Sequence, residues 1–168
     1  MLSFRLASLA ALVLLLALPA GTALAGCTDP PSPGVNWQRC NFDGLDLSQV
    51  DLSGARLRDG SYFRTNLNGA DLSGSESYRA KFINATLIGA DLSGAELERV
   101  DFTKANLTDA DFTGADLRNA RLTRANLQGA DLSKAQTDGA DFFRADLSGA
   151  TWIDGQRVCK EGSIGRCN

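Results

Sequence analysis

The sequence predicts an all-β fold, a solenoid of parallel strands wound in four-sided coils, on three observations. Residues 40–154 divide into 23 consecutive five-residue units without an insertion or deletion. The third residue of a unit is Leu or Phe in 19 of them and the first is Ala in 16. The units also match best at a spacing of twenty: ADLSG stands at 70–74 and again at 90–94, with VDLSG at 50–54 and ADFTG at 110–114.

A period of five fits neither the 3.6 of an amphipathic helix nor the 2.0 of an alternating strand. One large and one small apolar residue per unit must face an interior, and a single unit cannot bury its Leu, so units stack on their neighbours. Taking every fourth third-position residue sorts the letters. Phe42, Tyr62, Phe82, Phe102, Leu122 and Phe142 form one set, and Leu47, Leu67, Leu87, Leu107, Leu127 and Leu147 the next. Leu52, Leu72, Leu92, Phe112, Leu132 and Trp152 form the third. Leu57, Ser77, Leu97, Leu117 and Thr137 form the fourth, which holds both polar intruders. Like residues sorted this way predict that positions twenty apart touch, so four units make a coil. At about 4.8 Å per coil, nearly six coils give a rod of roughly 28 Å. The frequent Gly at the fifth position suits a turn that needs positive φ.

In chain order, residues 1–25 read as a signal peptide. Arg5 precedes an apolar run too short for a membrane span, and Ala23-Leu24-Ala25 forms a small-residue cleavage site. LAGC at 24–27 also fits a lipoprotein box with Cys27 as the lipid-bearing residue. Either reading takes the chain out of the cytosol, to the periplasm, the medium or an envelope lipid anchor. Residues 26–39 are expected to form an N-terminal cap and 155–168 a C-terminal cap over the exposed ends of the core. The four cysteines lie two at each end: Cys27, Cys40, Cys159 and Cys167. A rigid rod between them excludes cross-pairing, because bridged Cα atoms must lie within about 7 Å. That leaves Cys27–Cys40 and Cys159–Cys167, unless lipidation of Cys27 strands Cys40.

The run of A-(D/N)-L-x-x units over 40–154 resembles the pentapeptide-repeat family. The resemblance implies a right-handed quadrilateral parallel β-helix with the first and third residues of each unit inside. It also raises a functional comparison, since known members mimic DNA and bind topoisomerases. Here an export segment, a net charge of only −3 and the lack of a long C-terminal helix stand against that comparison.

Chemistry is sparse. The chain has no His, which removes the commonest general base and zinc ligand. With all four cysteines assigned to the ends, no nucleophile–base pair can be drawn. No catalytic or metal site and no cofactor is expected, and the D-x-x-G strings are unit boundaries, not calcium loops. Bulk nucleic-acid binding has no positive charge to draw on. The sequons at Asn84 and Asn106 fall out of the repeat grammar.

The surface carries the functional expectation. We number the sides by their first units, at Cys40, Leu45, Val50 and Ala55. Their net charges are +3, −3, −5 and −1. The first side carries the candidate interface, Phe63, Arg64, Ile83, Lys104, Arg124, Phe143 and Arg144, in which aromatic and basic groups alternate as in protein interfaces. Its fourth-position residues are expected to point to solvent. The third side carries an acidic strip, Asp51, Asp71, Asp91, Asp111 and Asp131. Stacked like charges repel, so backbone N–H groups, counterions or a basic partner must compensate. The expectation is a non-enzymatic, exported, monomeric or weakly dimeric solenoid serving as a protein-interaction or structural module of the envelope, with an unidentified protein partner. A DNA-mimicking inhibitor of a topoisomerase-like enzyme is the alternative.

Overall fold

The computed structural model describes residues 26–168, so the signal-peptide reading of 1–25 lies outside the described residues. No α-helix occurs among the described residues. Four ladders of parallel bridges join residues twenty apart, each with six members, such as Asp51, Asp71, Asp91, Asp111, Asp131 and Thr151. The twenty-residue coil read from the letters is therefore the structural repeat.

One unit shows how the backbone closes. Leu52 N–H donates to the Asp71 carbonyl one coil on (2.7 Å), and Gly54 N–H donates to Ser73 (2.8 Å). Asp71 N–H donates back to Val50 (2.9 Å). Ala55 N–H folds onto Leu52 (2.9 Å), which turns the chain through the corner. The fifth position takes positive φ at every corner from Gly44 to Gly149, for example Gly54 (62°) and Arg64 (57°). An L-residue there is strained, which explains why Gly recurs at this position.

First- and third-position side chains fill the interior. The first-side column is aromatic: ring centroids lie 5.6 Å apart for Phe42–Tyr62, 4.8 Å for Tyr62–Phe82 and 5.2 Å for Phe82–Phe102. The solenoid extends one unit below the pentad count. Trp37 is buried with its ring 4.2 Å from Phe42, and Asn36 bridges Arg56. Residues 35–39, assigned from sequence to the N-terminal cap, thus continue the fourth-side ladder, with Val and Trp in the places of Ala and Leu.

The two polar intruders differ. Ser77 is fully buried and its Oγ lies 3.1 Å from that of Ser75, so each hydroxyl answers the other. Thr137 sits in the last coil, half-buried, with no coil above it. At position 60, Gly replaces the usual Ala. A Cβ there would stand 2.9 Å from Tyr62 Cε2 and 2.9 Å from the Leu57 carbonyl, so the missing methyl makes room for the larger ring.

Both terminal segments are tied by disulfides, Cys27–Cys40 (Cα–Cα 5.4 Å) and Cys159–Cys167 (4.8 Å). The C-terminal segment turns back over the last coil through antiparallel bridges Thr151–Val158 and Asp146–Ile164. Donors that would point to a seventh coil are met there instead: Leu147 by the Ser163 carbonyl, Gly149 by Cys159 (both 2.9 Å) and Trp152 by Arg157 (2.7 Å).

Tyr62 Oη is buried without a hydrogen-bond partner, and burial pushes its pKa up. Tyr62→Phe removes an unpaired polar atom and is expected to stabilise the fold by about 1 kcal/mol. Gly60→Ala, although it restores the family letter, is expected to cost about 1–3 kcal/mol by overpacking. Urea melts of the two variants against the parent check both signs.

Candidate functional site

Of the five N–H groups in a unit, the ladder and the turn use four and leave the fourth-position N–H unmet. The second-position side chain supplies the acceptor. Oδ1 of Asp51, Asp71, Asp91, Asp111 and Asp131 accepts the N–H two residues on, at 3.0, 2.9, 2.8, 2.7 and 2.8 Å. The acidic strip therefore spends its carboxylates on its own backbone, the first of the three compensations expected. Asn66 and Asn106 serve the same N–H on the second side (3.2 Å each). Where Ser61 or Thr86 stands instead, the acceptor comes from one coil below: Asp43 for Phe63 N–H (2.8 Å) and Asn68 for Ile88 N–H (2.9 Å). The Ser53 hydroxyl and N–H hold the Asp51 carboxyl below its usual pKa, and Ser48 does the same for Asp46.

The fourth side resolves its mixed charge into ion pairs. Arg118 reaches Asp116 (2.6 Å) and, one coil below, Glu98 (4.0 Å). Arg79 meets Asp59 (3.3 Å) and Arg56 meets Glu76 (3.8 Å). The hydrogen bond from Arg118 draws the Asp116 carboxyl down.

The candidate interface divides on the first side. Lys104, Arg124 and Arg144 stand exposed at one corner in three successive coils. Phe63 and Ile83 are half-buried where full exposure was expected, and the Arg64 guanidinium lies over the Phe63 ring (4.8 Å). Phe143 is exposed (59%), with Arg144 5.2 Å from its centroid. Phe63 and Phe143 are four coils apart and make separate patches.

A groove of about 600 Å³ at the opposite corner of the first side escaped the sequence reading. Arg79, Lys81, Arg99 and Arg121 line it, together with Asp101 and Asp141. Sorting by units had put Arg79 and Arg99 on the fourth side. A fifth-position residue stands on a corner and belongs to two sides, and that was the available signal. Arg121 pairs with Asp101 (3.0 Å) and Arg99 donates to the Tyr78 hydroxyl (3.2 Å). Among the described residues no three potential metal ligands gather, and no helix is long and apolar enough to cross a membrane.

Ladders twenty residues apart, alternate inward residues and a side-chain acceptor at the second position define a four-sided β-solenoid. The family model for pentapeptide repeats matches residues 33–59, 63–99, 80–119 and 120–151 in 8 copies, and the chain belongs to that family. No curated protein matches the sequence. Solved structures similar to it include trypsin-treated QnrB1, a plasmid-mediated fluoroquinolone resistance protein, at 22% identity over 77% of this chain and 74% of that one, TM-score 0.48. A pentapeptide repeat protein of the Arabidopsis thaliana thylakoid lumen is 29% identical over 76% and 83%, TM-score 0.24. Rfr23, from the cyanobacterium Cyanothece 51142, is 22% identical over 71% and 88%, TM-score 0.35.

Asp91→Asn keeps the acceptor and is expected to be near neutral, whereas Asp91→Ala leaves the Ser93 N–H unmet at a cost of about 1 kcal/mol. Thermal melts distinguish the two. The lowered carboxyls of Asp46, Asp51, Asp116 and Asp141 add a pH signature. Their stabilisation is complete above the unfolded Asp value of about 3.9 and is lost as pH falls through the lower folded values. The melting temperature should fall below about pH 4, and a flat profile down to pH 2 would count against the assignment.

Proposed function

We propose that this chain is a non-enzymatic, exported binding module whose first side docks an acidic protein surface in the cell envelope. The carrying observation is how the charges are spent. The acidic strip is turned onto its own backbone, and most charges of the fourth side are spent in ion pairs, with Arg58 lying over the Tyr78 ring. Lys81, Lys104 and Arg124 on the first side have no ion-pair partner among the described residues. Arg124, one coil below the exposed Phe143, and Lys104 below it suit electrostatic docking with an apolar anchor. The two disulfide-tied segments act as end closures of a rod of about six coils, and disulfides suit an oxidising compartment. The rod itself serves as a rigid spacer that fixes the distance between its corners.

Crosslinking in whole cells tests the reading, with wild type compared against Lys104→Glu plus Arg124→Glu and against Phe63→Asp plus Phe143→Asp. Charge reversal should abolish a defined, salt-sensitive crosslinked product, and Phe143 should contribute more than Phe63. Recovery of the same product from every variant would sink the first side as the interface.

A further inference from the structure

The last coil is covered on two of its four sides. On the second and third sides the C-terminal segment provides the next strand, but units 135–139 and 140–144 have none above them. One coil lower, the equivalent donors are all used: Leu117 to Gln136, Asn119 to Asp138 and Leu122 to Asp141, at 2.8, 2.9 and 2.8 Å. Among the described residues, the N–H groups of Thr137, Gly139 and Phe142 and the carbonyls of Ala135 and Ala140 have no partner. The open stretch ends where Gly165 comes up beside the Phe142 carbonyl and the Arg144 nitrogen.

We infer that this open edge binds a basic segment of a partner protein by strand addition, the segment turning once over the Gly139 corner as Asn119 does in the coil below. Three features of the edge specify that occupant. Its unused groups run acceptor, donor, donor, acceptor, donor from Ala135 to Phe142, the set that chain laid along the coil below already meets, and the same coil accepts returning chain on its other two sides. Its inward positions, Thr137, Ala140 and Phe142, are half-buried, with Phe142 against the Trp152 ring (5.7 Å), and present small and large apolar surface at the end of the core. Its outward charges are Asp138 and Asp141, and the rod shows what sits over such a pair. Residues 115–122, ADLRNARL, lie one coil above 95–102, with Arg118 over Glu98 (4.0 Å) and Arg121 over Asp101 (3.0 Å). The open edge, AQTDGADF at 135–142, repeats both acids at the same places. The partner segment thus carries two basic residues three apart, each flanked by an inward apolar residue.

The site rests on the protein-binding reading but uses a different surface from the basic first side. The probe is a synthetic, end-blocked ADLRNARL peptide added to the purified mature chain with its disulfides intact, read by calorimetry. The peptide should bind, and a version with both arginines changed to glutamate should bind at least about tenfold more weakly. Asp138→Lys should reverse that preference, and Thr137→Pro, which removes an edge donor, should abolish binding without shifting the thermal midpoint. Lys104→Glu plus Arg124→Glu should leave peptide binding unchanged, so failure of the first-side interface and failure of this edge are separable. Absence of binding, or binding indifferent to Asp138→Lys and Thr137→Pro, would overturn the proposal. A dimer in sedimentation that excess peptide does not dissociate would assign the edge to a second copy and overturn it equally.

Discussion

The structure depends on one backbone hydrogen that the winding cannot use. A coil of five-residue sides pairs the third- and fifth-position N–H groups with the next coil, the second with the previous one and the first with its own turn. The fourth is left pointing outward at the base of each corner. An Asp or Asn two residues earlier carries an acceptor at the right reach, which is why that column of the sequence is acidic or amidic along most of the second and third sides and at Asn41, Asp101 and Asp141 on the first. The fourth side replaces these residues with Arg and Glu at positions 56, 76 and 96 and gains an ion pair between coils, Arg56 to Glu76 (3.8 Å).

That division shapes the surface. Carboxylates engaged in turns remain charged but give one oxygen to the backbone, and the second oxygen of Asp101 is met by Arg121 from the next coil. Free charge is concentrated where no such bond exists, at the first-side corners. The winding thus sets both the fold and where a partner finds unspent electrostatics.

The winding, the inward positions and the disulfide pairing were legible because each rests on a period or a parity that survives substitution. The lowest unit was not, because Val35 and Trp37 match the volumes of the repeat without its letters. The cationic groove was missed for a geometric reason, since a corner residue serves two sides. The half-buried Phe63 was missed because its cover is the neighbouring Arg64, a contact that spacing does not encode. Thr137 reads as a defect in a list and makes sense only as part of an open end. Ser77 looks equally anomalous and is answered by Ser75 within its own unit.

Gly60 and Tyr62 have a consequence beyond packing. Every coil offers nearly the same hydrogen bonds to every other, so a chain that winds one coil out of step loses little backbone energy. Such a sequence risks many near-equivalent misalignments. A side chain too large for the common site, beside the one missing methyl that admits it, fits in a single alignment only. The pair acts as an index mark, and the unpaired phenol it buries is the cost of making one winding distinguishable from its neighbours.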